Sequence, residues 1–302
     1  MDSKMDGAQD FDYVLRLTEK AQHIGHVPHI LYSWRISPGS VAMDASEKTY
    51  AYDAGIRALE SAMERRGEKN IKVIKAFGTA LGVYRVKRKI ADKKLSHIID
   101  GSSNNVISAI RSIKQISPVP VDIIAVVEEE NEKLLNLLSV EAENTAKCDS
   151  GMASAIEIIT APKGSNRSLM FNLGAKQAKS SHLFFSSHNL EIIDSEYPLA
   201  ALEHTQREEI GAVGARIIYP NGSYFHTGMI LGVNDLCGYA HRNIFQGPGY
   251  WNFAQCIRNY SAVSWELLAI NKKKWEEVNG FDESLTFYED VDFCLKLIQK
   301  GW

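Results

Sequence analysis

The amino-acid sequence predicts an α/β fold, in which helices flank a mixed, mostly parallel sheet, preceded by a mainly helical N-terminal segment. From residue 95 onward, short apolar runs alternate with amphipathic runs, which is the order expected of a doubly wound parallel sheet. Residues 8–22 and 46–66 have the periodicity of helices. The 302 residues are 45% hydrophobic and 24% charged, which is typical of a globular protein with a substantial core.

The elements of the α/β part follow in chain order. Apolar runs predict strands at 95–100, 121–127, 156–160, 182–186, 212–219 and 224–231. Amphipathic runs predict helices at 104–115, 129–139, 169–179 and 195–206, the last capped by Ser195. Pro220-Asn221-Gly222 predicts a hairpin, and hence an antiparallel excursion late in the sheet. Such sheets bind ligands beyond the carboxyl ends of their strands, here the residues after Asp100, Val127 and Ser186.

The two ends of the chain contain an internal repeat. Gln9-Asp10-Phe11-Asp12 matches Glu289-Asp290-Val291-Asp292, and both acids keep a separation of 280 positions (residues 10 and 290, residues 12 and 292). A match that keeps both acids in phase predicts tandem copies of one module. We therefore expect a fragment of a longer protein. Residues 1–67 would be the tail of a preceding domain, 68–94 a linker with one strand, and 95–302 an α/β domain truncated at its C-terminus.

Charge and cysteine content narrow the classes of function. A net charge of −3 gives no basic footprint, so we expect no nucleic-acid partner. The four cysteines form no C-x-x-C pair, which predicts reduced thiols in a cytoplasmic protein. No apolar run approaches the ~18 residues that span a bilayer. The basic run at 85–94 predicts a solvated linker; the alternative is contact with anionic lipid headgroups, and so peripheral association with the inner face of the cytoplasmic membrane.

The strongest local signal is an acid cluster at the start of the last helix. Gly280-Phe281-Asp282-Glu283 is followed by Tyr288-Glu289-Asp290-Val291-Asp292-Phe293. Four apolar residues can seat this helix: Val291, Cys294, Leu295 and Ile298. One interpretation is ordinary capping, because acids in a first turn favour the helix dipole and its free N–H groups. The recurrence of two acids at residues 10 and 12 favours a functional role instead.

Several further stretches, taken with this cluster, resemble a known family. They are Asn-Arg-Ser at 166–168, Asn-Leu-Gly-Ala at 172–175, Gly-Ala-Val-Gly-Ala at 211–215, Tyr-Pro-Asn-Gly at 219–222, His-Thr-Gly at 226–228, Gly-Tyr-Ala-His at 238–241 and Asn-Tyr-Ser-Ala-Val at 259–263. Residues 95–302 thereby resemble the family 2 glycosyltransferases of GT-A fold, closest to tandem-domain bacterial members that build surface polysaccharides and rhamnose-containing glycans. Residues 7–66, including Tyr32-Ser33-Trp34-Arg35, resemble the C-terminal tail of a preceding domain of that kind.

The resemblance implies a glycosyltransferase that moves a sugar from a nucleotide-sugar donor to a glycan or lipid-linked glycan acceptor in cell-envelope polysaccharide biosynthesis. It implies an inverting displacement, in which Asp290 is the base and Mn²⁺ or Mg²⁺ stabilises the departing nucleotide diphosphate. Glu289 is the second catalytic candidate, although its counterpart in the first copy is Gln9.

The metal and donor positions depart from the family pattern. The family has an acidic D-x-D-like motif after the strand that here contains Phe184-Phe185, whereas this chain has Ser186-Ser187-His188-Asn189 and keeps an acid at Glu191. We assign His188 and Glu191 to the metal, although a neutral His-Asn pair suits a hard cation poorly. The alternative for His188 is a loop histidine with no role.

The remaining site candidates follow from position. The nucleotide-sugar candidates are Asp100, Glu128, His188 and Asn189, and the acceptor candidates are Trp265 and Asp292. Asp100 has a turn role as its alternative, and Glu128 the start of a helix. For the whole domain, the alternative is a catalytically inactive GT-A module that binds glycan or serves as a scaffold for an active partner domain. A metal-dependent phosphoesterase that uses the acid cluster is a third hypothesis.

Overall fold

A computed structural model describes most of the chain, namely residues 3–33, 49–76, 82–146, 155–233 and 236–302. Trp34, Arg35 and Cys148 lie outside the described residues. The chain divides into two compact units, Met1–Lys89 with Gly247–Arg258, and Ile90–Gln246 with Asn259–Trp302. In the described parts, no helix combines the length and the apolarity needed to cross a bilayer.

The first unit is mainly helical. Its elements are 3₁₀ turns at Ser3–Met5 and Tyr250–Asn252, helices α1 (Gln9–Thr18) and α2 (Thr49–Arg65), and strands β1 (Ile71–Lys75) and β2 (Tyr84–Arg88). Ala54, Ala58 and Ala62 form the buried stripe of α2, because residues three or four apart share one face of a helix. Glu19, just after α1, accepts a hydrogen bond from Arg65 Nε at 2.8 Å, which ties the two helices together.

Two paired strands occupy the region where the sequence predicted a linker with one strand. β1 and β2 are antiparallel, with Val73 opposite Val86, and Glu68 forms an ion pair with Arg88. β2 alternates apolar and basic residues from Tyr84 to Lys87, and β1 carries Lys72 and Lys75 among its apolar residues, so the basic charge concealed the two strands.

The second unit is built on a six-stranded sheet. Its strands, including four short ones outside that sheet that pair locally, are β3 (Leu95–Asp100), β4 (Val121–Glu128), β5 (Ile156–Ala161), β6 (His182–Ser186), β7 (Ala212–Gly214), β8 (Ile217–Ile218), β9 (Tyr224–His226), β10 (Met229–Leu231), β11 (Cys237–Tyr239) and β12 (Leu267–Asn271). The sheet order is β5-β4-β3-β6-β12-β7, and the first four strands are parallel. β12 runs antiparallel to both of its neighbours.

Helices cover both faces of this sheet. They are α3 (Val106–Ile116), α4 (Glu132–Ala146), α5 (Arg167–Gln177), α6 (Tyr197–Thr205), α7 (Lys272–Glu277) and α8 (Glu289–Gln299). Successive strand residues alternate between two cores. Ile99 packs in a cluster with side chains of α3, α4 and α6, whereas Ile98 packs in a cluster with side chains of α5, α7 and α8. The predicted α/β class, with a mixed and mostly parallel sheet flanked by helices, is confirmed.

The late part of the sheet differs from the prediction. The run at 212–219 divides into β7, which joins the sheet, and β8, which pairs with β9 across the predicted hairpin. α6 begins at Tyr197, with Glu196 at the N-cap and no side-chain cap, so the predicted Ser195 cap is wrong. Pro198 in the first turn favours this later start, because its fixed φ suits the first helical positions.

The predicted seating of α8 is also wrong in part. Val291 and Cys294 are buried as expected, but Leu295 and Ile298 are 41% and 49% exposed. Phe293 and Leu297 are buried in their place. The buried stripe follows positions 290, 293 and 297, at the 3.6-residue period of a helix, which turns position 295 outward.

α7 carries a buried lysine that closes the turn after α6. Nζ of Lys274 donates to the backbone oxygens of Arg207, Glu208 and Ile210 at 3.0, 2.6 and 2.7 Å. We expect Lys274→Met to lower the free energy of unfolding by about 2–4 kcal/mol, because three carbonyls lose a charged donor. The adjacent, exposed Lys273 is the control, and Lys273→Met should change stability by less than about 0.5 kcal/mol in urea denaturation. Equal losses for the two variants would contradict the role of the buried amine.

Candidate functional site

The strand ends after which the sequence predicted a ligand site lie at one edge of the sheet. Asp100 is the last residue of β3, Glu128 the last of β4, and Ser186 the last of β6. β12 begins at the same edge, because Leu267 pairs with Ser186. The carboxyl ends of parallel strands form the edge at which open α/β sheets bind ligands.

Asp290 is a buried carboxylate in the first turn of α8, with 3% of its surface exposed. Its Oδ2 accepts a hydrogen bond from the Trp265 backbone N–H at 3.2 Å, and its Oδ1 accepts from the Val291 N–H at 2.9 Å. Burial raises the pKa of Asp290 to about 6; the charges of Glu266 and Glu289 add to the rise, and the two N–H groups oppose it. Asp290 is therefore mostly ionised at pH 7, yet is a stronger base than an ordinary aspartate.

The turn before α8 is held by α5. Asn172 Nδ2 donates to the Phe281 carbonyl and to Glu283 Oε1, both at 2.9 Å, and its Oδ1 accepts from the Phe281 N–H at 3.0 Å. Asn166, the N-cap of α5, donates to the Glu283 carbonyl at 2.7 Å. Gly280 has a φ of 66°, which favours glycine. These contacts fix the approach to α8 and so the position of its acids.

Glu289 is committed to an ion pair rather than left open. It is 4% exposed and is bonded to Nη1 of Arg167. The Arg167 guanidinium also lies over the Trp265 ring, 3.3 Å from its centroid. Because the Glu289 carboxylate is occupied by the arginine, Asp290 is the better candidate for the base.

Asp100 and His188, two predicted donor residues, are in direct contact. His188 Nδ1 lies 2.5 Å from Asp100 Oδ1. Burial works to raise the pKa of Asp100, but the hydrogen bond and charge of His188, the hydrogen bond of the Ser102 side chain and the charge of Arg167 outweigh it, so this pKa is lowered. Asp100 Oδ2 is buried and has no hydrogen-bond partner among the residues described. That oxygen can accept a hydroxyl of a ligand.

The other predicted residues have roles in loops or at the surface. Glu128 Oε1 accepts from the Gly164 N–H at 3.1 Å, in the loop between β5 and α5. Asn189 is exposed, and its Oδ1 accepts from Asn105 at 2.8 Å. Glu191 is exposed as well. Asp292 is half-buried and forms an ion pair with Lys296, four residues on, at 2.8 Å.

The residues that we assigned to a metal do not form a metal-binding set. Within the described parts of the chain, no three His, Cys, Asp or Glu side chains come together in a way that could hold a cation. Glu191 is exposed, and His188 directs Nδ1 to Asp100. The donor set therefore does not fit Mn²⁺ or Mg²⁺, which take several oxygen ligands at once.

Sequence reasoning did not single out two charged residues of this site. Arg167 connects Glu289 to Trp265, and its charge also acts on Asp100. Glu266 accepts from the Tyr239 hydroxyl at 3.2 Å, and its charge adds to the raised pKa of Asp290. Arg167 lies in the Asn-Arg-Ser stretch that carries the family resemblance, and Glu266 directly follows the acceptor candidate Trp265. Position beside these features was the only sequence signal for either residue.

The acid that α8 buries has a counterpart in α1. The two helices begin at Gln9 and Glu289, the same 280-residue separation as in the sequence. Asp10 Oδ1 accepts from the next backbone N–H at 2.8 Å, as Asp290 does at 2.9 Å. Their burial differs, because Asp10 is exposed and Asp290 is buried. Tandem duplication remains a prediction that this shared local geometry favours.

A cavity of about 530 Å³ lies beside the β8–β9 hairpin and is not lined by any predicted site residue. Its lining residues are Tyr219, Pro220, Asn221, Ser223, Asn243 and Phe245.

The described cysteines Cys237, Cys256 and Cys294 are free thiols.

Comparisons with known proteins identify relatives by sequence. No family model matches the chain. It is 30% identical over 308 residues to the uncharacterized protein y4gI of Sinorhizobium fredii (strain NBRC 101917 / NGR234), which covers 98% of this chain and 33% of that protein. It is 26% identical over 302 residues to the O-antigen biosynthesis protein RfbC of Myxococcus xanthus, which covers 98% of this chain and 23% of that protein. The chain thus spans between about a quarter and a third of these relatives.

Solved structures give weaker likenesses. One is the mannosyltransferase PcManGT from Pyrobaculum calidifontis in complex with GDP-Man and Mn²⁺. The match has a TM-score of 0.49 and 11% sequence identity, and it covers 84% of this chain and 62% of the PcManGT chain. S. aureus TarS 1-349 has a TM-score of 0.46 and 12% identity, covering 68% and 55%. TM-scores below 0.5 do not establish a shared fold.

Proposed function

We propose that this chain is a glycosyltransferase of the GT-A kind, which transfers a sugar from a nucleotide-sugar donor to a glycan or lipid-linked glycan acceptor with inversion. The observation that carries the proposal is Asp290, a buried carboxylate at the ligand-binding edge of the sheet, with a pKa of about 6. An acid that is ionised at pH 7 and still basic suits the removal of a proton from an acceptor hydroxyl.

The residues at this edge of the sheet account for the proton transfer and for the binding of both substrates in the reaction. The acceptor oxygen forms a bond to the anomeric carbon and gives its proton to Asp290. The bond from that carbon to the nucleoside diphosphate breaks, and the diphosphate leaves with the electron pair. Asp100 Oδ2, with Asn189 and Glu128 near the same edge, would receive donor hydroxyls, and Trp265 and Asp292 would contact the acceptor.

A relative supports the proposed biological setting. RfbC of Myxococcus xanthus is named for O-antigen biosynthesis, and this chain aligns with it over 98% of its own length. This likeness supports our proposal that the acceptor belongs to bacterial surface polysaccharide assembly; as part of the same proposal, the protein acts in the cytoplasm or at the inner face of the cytoplasmic membrane. The activity of the whole protein is part of this proposal, because the chain covers 23% of RfbC.

Calorimetry with nucleotide-sugars tests the proposal. We expect at least one donor among the UDP-, GDP- and dTDP-sugars to give binding heat, and a glycan acceptor then to release the nucleoside diphosphate. A folded protein that gives no heat with any donor contradicts the proposal. That result would favour the alternative, an inactive module that binds glycan or supports an active domain.

A further inference from the structure

One cation occupies a central place at the proposed donor edge. Arg167 is the first residue of α5, and 32% of its side chain is exposed. Its described contacts are the ion pair with Glu289 and the stacking on Trp265. A guanidinium has five N–H groups in a rigid plane, so the ion pair through Nη1 leaves other donors for a ligand. The stacked ring fixes that plane before a ligand arrives.

The carboxylates that would recruit a divalent cation to this edge are missing or already compensated. The chain after β6 has neutral Ser187, His188 and Asn189. Oδ1 of Asp100 is hydrogen-bonded to Nδ1 of His188 at 2.5 Å, and Glu289 is paired with Arg167. A divalent ion joins a diphosphate to a protein through several carboxylate oxygens. In the described parts of the chain, no three ligands are gathered for it.

We propose, on the basis of the function proposed above, that the site binds the diphosphate of its donor without a divalent cation and that Arg167 supplies the compensating positive charge. Arg167 donates N–H groups to the phosphate oxygens, while Glu289 and Trp265 hold the guanidinium in place. When the bond to the anomeric carbon breaks, the charge that develops on the departing diphosphate is met by this guanidinium. The loss of the acidic D-x-D motif then reflects a change in the positive group that balances the diphosphate charge, from a divalent cation to Arg167.

Binding of UDP, GDP and dTDP to the wild-type chain in EDTA and in Mn²⁺ tests the proposal directly. We expect the nucleotide that binds to have the same affinity in both, within about twofold. Binding that requires Mn²⁺ overturns the inference and leaves the proposed function intact. If none of the three nucleotides binds in either condition, both the proposed function and this inference fail.

Variants at Arg167 and Glu289 test the role of Arg167 in binding the diphosphate. Arg167→Gln should weaken binding of the nucleoside diphosphate roughly tenfold or more in EDTA and leave the affinity for the bare nucleoside unchanged, because a charge-assisted hydrogen bond is lost. Glu289→Gln is the matched comparison: it keeps the guanidinium but removes the carboxylate that positions it, so diphosphate affinity should fall by less than in Arg167→Gln. Equal weakening in both variants, or equal weakening for nucleoside and nucleoside diphosphate, would show that Arg167 acts only as a structural partner of Glu289.

Discussion

Replacement of Asp290 by asparagine should reduce sugar transfer by a factor on the order of 10² to 10⁴ while leaving donor binding in place. The amide keeps the shape of the side chain and can still accept from the Trp265 N–H. It cannot take the proton of the acceptor hydroxyl. Rates at saturating donor and acceptor measure this loss. In the wild type, the rate should rise with pH through the pKa of about 6, because the base must be ionised.

The same substitution should stabilise the protein above pH 6. The pKa of Asp290 is about 6 in the folded chain, against an ordinary value of 3.8. Between these values the folded state binds more protons than the unfolded state, so wild-type stability falls as pH rises through this window and stays lower above it. An asparagine at this position does not titrate and therefore contributes no such dependence of stability on pH. At pH 7.5 we expect Asp290→Asn to be more stable by on the order of 2 kcal/mol, with no gain near pH 4.

Asp292→Asn is the control for this pH dependence. Asp292 lies in the same helix turn, but it is half-buried and paired with Lys296. Its removal should change the free energy of unfolding by less than about 0.5 kcal/mol, because partly solvated ion pairs contribute little. Urea denaturation at pH 4, 5, 6 and 7.5 compares the two variants. A stability difference for Asp290→Asn that is equal at all four pH values would show that the carboxylate is not desolvated.

Local sequence patterns predicted the parallel strands well and missed the antiparallel one. β3, β4, β5 and β6 are short apolar runs bounded by polar or turn residues, so their limits fell within about two residues of the structure. β12 (Leu267–Asn271) is also apolar, but it runs directly into α7 without a turn signal. Its identity as a strand depends on pairing with β6 and β7, which are distant in sequence.

The candidate site shows the same difference between features that local sequence predicts and contacts that depend on residues far apart in the chain. Asp100 and His188 could be named separately from the strand ends, but their 2.5 Å contact joins residues 88 positions apart. Arg167 and Glu289 are 122 positions apart. A carboxylate near a strand end has the same sequence signature whether its partner is a cation, a metal or solvent. Only the folded arrangement shows that two of these acids are already paired.

Gly280→Ala should be among the most destabilising single substitutions in this chain, at about 3 kcal/mol or more. Gly280 has a φ of 66°, a conformation that costs an alanine roughly 1–2 kcal/mol. An added Cβ would also lie 2.5 Å from Asn172 Oδ1 and 2.7 Å from the Trp275 ring. Asn172 holds the Phe281 backbone, so its displacement loosens the turn that leads to Asp290. Transfer activity should therefore fall together with stability.

Gly164→Ala separates the two causes. Gly164 has a similar φ of 73°, but a Cβ added there meets nothing within 4 Å. This control carries the backbone strain without the collision, and it should cost about 1 kcal/mol in urea denaturation. The difference between the two variants then measures the contact of the turn with Asn172 and Trp275. Equal losses would mean that strain alone explains the glycine at position 280, and that the approach to α8 tolerates a side chain against α5.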